Sequence, residues 1–261
     1  MVIISNSLEK AIELMLLFTP ERSVLSLAEV ARLSGMPKPT VYRLLSTLET
    51  SGFISRTIDR RYKLGLKLLE LGNLVAEQLE LRSIALPHMQ RLRDILQMTV
   101  QLLVRDGIEA VYIEKVETTH PVRLYTRMGR RALLHAGACP RALLAFLPDK
   151  ERESLIVKIP LKSYTQITIS SPDELRLRIS REISQGYTVS LGELVEGTAA
   201  VGMPIRNFTG QVVASLSVAG SLVQFPAERI PAIATEVKRT VDAISQELGY
   251  RNNFSGGEQG K

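Results

Sequence analysis

The longest alternating run of apolar residues in this chain begins close to residue 99. Before that point they recur every three or four positions, as in Ala11, Ile12, Met15, Leu16 and Phe18. Beyond it, in VQLLVRDGIEAVYIEKV (Val100 to Val116), they alternate on either side of Asp106-Gly107, a pair suited to a tight hairpin. A spacing near 3.6 belongs to a helix with one buried face, and a spacing of two belongs to a strand. A chain with both must build a helical part and a sheet-containing part, and 261 residues suffice for two cores. The expected fold class is therefore α+β.

The helical part divides further. Ser7 is the expected N-cap of a first helix. In SLAEVARLSG, Ser26 starts a second helix, Glu29 completes a capping box and Gly35 ends it. SGMPKPTVYRLLSTLETSGF supplies a third helix, and FISRTIDRRYKLG reads as two short strands around a basic turn. Three helices and a hairpin thus occupy residues 1–65. On a wheel of about 100° per residue, Leu44, Leu45 and Leu48 fall within roughly 60° of Val41. Arg43 and Ser46 lie opposite, with Tyr42, Thr40 and Thr47 flanking the apolar strip. Pro39 sets the backbone for helix entry and leaves the N-terminal end free to enter a groove. Most amphipathic helices simply expose their polar face to water. Here a glycine-containing turn precedes the helix, and Arg56, Arg60, Arg61, Lys63 and Lys67 oppose only Asp59 just after it. A net charge of +6 agrees in sign. Together these features point to a helix-turn-helix that binds double-stranded DNA.

From Leu66 the pattern predicts a connecting helix over 66–82, with Leu68, Leu71, Val75 and Leu79 on a seam that fits either a partner helix or its own domain. Pro87 is placed early in the helix that follows. The sensor region, 83–250, then offers further strands at VRLYTRM, TVSLGELVEG, TAAVGMPIRN and QVVASLSVAG. It also offers helices at PRALLAFL, from Ser171 to Gly186, and from Pro226 to Leu248. Residues 251–261 have almost no apolar side chain and are expected to be a disordered tail.

The start lacks a basic n-region, and no apolar run approaches the ~18 residues of a membrane span. Cys139 stands alone, which favours a reducing, cytoplasmic setting. No G-x-S-x-G, GxxxxGK[ST], H-E-x-x-H or paired-cysteine motif is present, so no cofactor or metal is expected. His88, His120 and His135 are far apart in sequence. With Pro140 as the first position of its helix, the N–H groups of Ala138, Cys139, Arg141 and Ala142 could hold a carboxylate. Cys139 is alternatively an enzymatic nucleophile at that helix start, though small buried thiols are commoner.

SLAEVARLSGMPKPTVYRLLSTLETSGFISR…RYKLGLKLLELG resembles the winged helix-turn-helix of IclR-family transcriptional regulators. GRRALLHAGA…ALLAFLP and GTAAVGMPIRNFTGQVVASLSVAG resemble the hallmarks of that family's effector-binding domain. The resemblance runs from about Ser7 to Tyr250. It implies a GAF-like effector domain with an antiparallel sheet, a homodimer or dimer of dimers, and a small, often aromatic, organic acid as effector. It also implies recognition positions at Lys38, Pro39, Thr40, Tyr42 and Arg43, with wing candidates Arg56, Arg60 and Arg61. In the pocket it adds Ser190, Ala200, Ser217 and Ala219. Ala200, Ala219 and Pro140-Arg141 depart from more polar or Gly-Lys patterns, implying a less polar pocket. A regulator with a vestigial pocket is the remaining alternative.

Overall fold

The computed structural model describes residues 5–77, 80–118 and 127–251. Its contacts divide the chain into two compact units, Met1–Gln78 and Leu79–Lys261.

In the first unit, helices α1 (Asn6–Leu16), α2 (Leu27–Ser34) and α3 (Lys38–Thr50) precede a hairpin of β1 (Ile54–Arg56) and β2 (Tyr62–Leu64) and helix α4 (Lys67–Glu77). Ser26 and Glu29 form the expected capping box at α2, and Gly35 ends that helix at φ 68°. Leu14, Val30, Val41, Leu45, Ile54 and Tyr62 close one core. The inner face of α1 centres on Leu14, with Ala11 and Phe18 beside it. Ile12 and Leu16, expected on that face, are instead 44% and 73% exposed. They lie one position round the helix from the buried stripe, in line with exposed Leu8. The helix also begins one residue before Ser7, with Ser5 as its N-cap.

The second unit opens with α5 (Glu80–Leu96) and hairpin β3 (Thr99–Asp106) and β4 (Glu109–Val116). Then follow β5 (Arg131–Leu133), α6 (Ala138–Ala145), α7 (Asp149–Lys158) and α8 (Pro172–Gln185). Strands β6 (Thr188–Leu191), β7 (Thr198–Arg206) and β8 (Val212–Ser221) and helix α9 (Ile230–Glu247) complete it. The strands form one antiparallel sheet in the order β5-β4-β3-β8-β7-β6.

Both faces of this sheet are covered, and side-chain size tells them apart. Along β8, Ala214, Leu216 and Val218 pack with α5 and α9, as do Val201, Met203 and Ile205 of β7. The alternate positions, Ser215, Ser217 and Ala219 on β8 with Ala200 and Gly202 on β7, are small and face α6. A Cβ at Gly202 would stand 2.9 Å from the Ala138 carbonyl carbon and 3.0 Å from Thr188 Oγ1. Only glycine lets the start of α6 lie this close to the sheet.

Four boundaries differ from the sequence expectation. Pro87 lies well inside α5, because the helix starts at Glu80 and packs Leu81 and Ile84 on the core. Helix α6 starts at Ala138 rather than Pro140, after Gly137 turns the chain at φ 88°. Helix α9 starts at Ile230, where Pro231 suits the first turn, and Pro226 stays in the preceding turn. Residues 66–82, expected as one connecting helix, contain α4 and the start of α5, and residues 78–79 lie outside the description. The VRLYTRM strand, apart from its last two residues, His120 and the tail beyond Arg251 also lie outside the described residues.

Candidate functional site

Each unit gathers a set of the expected residues. In the first, Val41, Leu45 and Leu48 of α3 are buried. The opposite face therefore turns outward, and Lys38, Pro39, Tyr42 and Arg43 are exposed with Thr40 half-buried. Gly35, Met36 and Pro37 make the turn from α2, and Pro39 lies in the first turn of α3. Neither Lys38 nor Arg43 has an ion pair among the described residues.

The hairpin is less cationic than its sequence implied. Arg56 pairs with Glu49 at 3.0 Å and sits over the Tyr62 ring at 4.9 Å. Arg61 turns back to Glu29 at 3.0 Å and donates to the Val24 carbonyl at 3.3 Å. Lys67 pairs with Glu70. Three of the five cations thus meet carboxylates from outside the window that seemed to isolate them. Arg60, in the left-handed region at φ 58°, has no ion pair among the described residues and lies at the tip beside fully exposed Ile58. Surface pairs of this kind are worth at most about 1 kcal/mol each, so Arg56 could turn to a phosphate at little cost.

In the second unit a cavity of about 180 Å³ opens between the small face of the sheet and the start of α6. Strand register explains its floor. Ala219, Ala200 and Ser190 lie directly opposite one another across β8, β7 and β6. Gln101, Ser217 and Gly202 form the neighbouring row across β3, β8 and β7. Ala138, Cys139 and Pro140 form one wall, Leu194 and Val195 another, and Tyr112 and Arg130 an end. Six of the seven expected ligand positions, Ala138, Cys139, Ser190, Ala200, Ser217 and Ala219, therefore line one space.

Arg141 is the correction. Its backbone N–H donates to the Gly137 carbonyl at 3.1 Å and is not free. Its side chain, wholly buried, points away from the cavity lining into a cluster with Glu182 and Glu193. There the guanidinium meets Glu182 at 2.8 Å through Nη2 and through Nε, and donates to the Val189 carbonyl at 2.6 Å. Glu193 also accepts from the Gly137 N–H at 3.2 Å, and its own carbonyl accepts from Thr168 at 2.6 Å. This cluster fixes the loop that carries Leu194 and Val195 to the start of α6.

Two polar groups of the floor bear on chemistry. The Cys139 thiol is pushed up to about 11, chiefly by burial, and lies 3.2 Å from Ser215 Oγ. A thiol held protonated is a poor nucleophile. Ser217 Oγ is fully buried and makes no hydrogen bond of acceptable geometry, the weakly bonding Cys139 thiol being its polar neighbour. The described histidines do not meet. His88 contacts Glu247 at 2.7 Å, while burial lowers the pKa of His135, whose Nε2 lies 3.0 Å from the Lys162 carbonyl. No group of residues that could hold a metal occurs among those described.

Both units match patterns of one family of known proteins. The family pattern described as the IclR helix-turn-helix domain matches residues 7–57, and that described as bacterial transcriptional regulator IclR C-terminal matches residues 73–246. The chain belongs to the IclR family. It is similar to the HTH-type transcriptional regulator KipR of Bacillus subtilis (strain 168), with 44% identity over 94% of this chain and 98% of KipR. Among solved structures, the Thermotoga maritima IclR is 33% identical with a TM-score of 0.79, covering 94% of this chain and 99% of that one. An IclR homolog from Microbacterium hydrocarbonoxydans complexed with 4-hydroxybenzoate is 26% identical with a TM-score of 0.82, covering 93% and 99%. As an IclR-family member the chain is a DNA-binding transcriptional regulator with a C-terminal effector domain.

Arg130 and Tyr112 are cavity residues that sequence reasoning missed. Tyr112 carried a signal, since it falls in phase with buried Ala110 in the alternation of β4. Arg130, next to Arg131 in a run of basic residues, carried none.

Proposed function

We propose that this regulator reads its operator through Lys38, Pro39, Thr40, Tyr42 and Arg43, and that a small organic acid held in the sheet-side cavity controls that binding. The poorly satisfied Ser217 hydroxyl carries the second half of the reading. Its polar neighbour is the weakly bonding Cys139 thiol, and a ligand oxygen would be a better partner. For the first half, a cationic and hydrogen-bonding helix face stands opposite a leucine-packed one, at a width that fits a major groove of about 12 Å. Arg43 and Thr40 approach base edges, while Arg60, with Arg56 and Arg61 once released from their carboxylates, meets phosphates.

The molecule works in the cytoplasm as a homodimer or dimer of dimers on half-sites spaced by whole helical turns. Among the described residues no helix is long and apolar enough to cross a membrane. The exposed stripe of Leu8, Ile12 and Leu16 on α1 is the apolar surface a second copy would cover. Effector control needs unequal affinity of the ligand for operator-competent and incompetent arrangements. An enzymatic role through Cys139 is disfavoured by its protonated thiol.

The test is a thermal-shift screen of small organic acids, followed by titration of upstream DNA with each hit. A hit should raise the melting temperature and change operator affinity. Arg43→Ala should lower operator affinity and selectivity at fixed salt. Unchanged DNA binding in Arg43→Ala would refute the interface, and a screen with no hit would refute effector control.

A further inference from the structure

Among the described residues the cavity is lined by one full positive charge. Arg130 is half-buried at its end, 6.0 Å from the Tyr112 ring centroid, and makes no ion pair with any described residue. Its neighbours differ. Arg131 is shared by Asp106 at 2.5 Å and Glu109 at 2.6 Å. Arg141 takes both buried carboxylates, Glu182 and Glu193. The acidic groups nearby are therefore committed elsewhere, and the cation facing the cavity is left without one. A guanidinium does not lose its proton, so an anion is what relieves its partial desolvation.

The start of α6, the other candidate for holding a carboxylate, is weaker than it looked. Its Gly137 N–H already donates to Glu193, Pro140 has no N–H, and Arg141 N–H closes on Gly137. Only the Ala138 and Cys139 N–H groups are left. The remaining lining is largely apolar, and the cavity, about 180 Å³, suits a small ligand.

Resting on the effector reading above, we infer that Arg130 selects the effector: a small monocarboxylate with a compact apolar body, whose carboxylate pairs with Arg130 and whose second hydrogen-bonding group meets Ser217. A second carboxylate would enter a largely apolar space with no second cation among the described lining residues. Guanidinium and carboxylate also match as a two-pronged pair, so lysine would replace Arg130 imperfectly.

The experiment uses the full chain and a panel of single-ring and branched monocarboxylates, each with its neutral amide and its dicarboxylate analogue. Affinities are measured by isothermal titration at neutral pH for wild type, Arg130→Ala, Arg130→Lys and Ser217→Ala. Unliganded melting temperature and operator affinity establish that each variant folds. The wild type should prefer acid over amide by about 10- to 100-fold, the range expected of a charge-assisted pair. Arg130→Ala should erase that gap and leave amide affinity unchanged, while Arg130→Lys restores part of it. Ser217→Ala should weaken ligands bearing the second polar group and keep the acid–amide gap. If the wild type binds no member of the panel, the effector reading fails and this inference falls with it. If the wild type binds and Arg130→Ala keeps the gap, the assignment to Arg130 alone is wrong. A dicarboxylate bound as tightly as its monocarboxylate would refute the single-charge limit.

Discussion

Replacing Arg141 by methionine should unfold the sensor unit far more readily than any loss of packing volume could explain. The wild-type guanidinium is wholly buried, and the side chains of Glu182 and Glu193 are only 2% and 4% exposed. Methionine fills much of the same space but leaves buried Glu182 without its cation and Glu193 with only Arg178 Nη1, at 4.0 Å. It also removes donors to the His135 and Val189 carbonyls. Breaking a buried ion pair by removing one partner costs about 3–5 kcal/mol. In a unit of this size each kcal/mol lowers the melting temperature by about 2–4 °C, so a fall of roughly 6–20 °C is expected. Scanning calorimetry measures it. The triple variant Arg141→Met, Glu182→Leu, Glu193→Gln should recover at least half of the loss, its glutamine still accepting from Gly137. A single-variant loss under about 1 kcal/mol would show that the cluster is not held as described.

Three further perturbations follow from the geometry. Gly202→Ala should push α6 from the sheet at a cost of about 1–3 kcal/mol and weaken effector binding; an unchanged melting temperature would refute the close approach. Glu29 is lowered from 4.5 to about 2, first by the Ser26 backbone N–H, then by the Ser26 hydroxyl and Arg61. A depressed carboxylate stabilises above its ordinary value, so the N-terminal unit should lose stability as pH falls from 4.5 to about 2. Glu29→Gln should flatten that dependence in acid titrations followed by circular dichroism, and an unchanged slope would exclude Glu29 as its source. Alkylation of Cys139 by iodoacetamide at neutral pH should be at least about 100-fold slower in the native chain than in urea, and equal rates would contradict its burial.

How far the sequence could be read depended on whether a local cause set the structure. Capping at Ser26, the glycine stop at Gly35 and the leucine face of α3 are local, and each occurs where its chemistry predicts. Helix α7 went unread because DKERESLIVK buries only Leu155 and Ile156, too few for a helical period. Strand β5 is three residues long and depends on its pairing with β4. The face of α1 was misjudged because apolar residues occupy two of its stripes and only packing chooses between them. Of the six cavity residues, Ala138 and Cys139 were legible from the helix start and Ser190, Ala200, Ser217 and Ala219 through resemblance, but the fate of Arg141 was not. Its partners Glu182 and Glu193 are 41 and 52 positions away, and nothing near Arg141 announces them. Similarly, Arg56 and Arg61 looked free because Glu49 and Glu29 lie in other elements.

The row Ala219, Ala200 and Ser190 gives the floor of the cavity an unusual evolutionary latitude. Each is a minimal side chain on a rigid strand whose opposite face is already packed, so a methyl or hydroxyl added at any one would reshape the hollow and leave the sheet's other side undisturbed. A lineage built this way can retune which metabolite it hears by single substitutions, while the surface that grips the chromosome stays as it was.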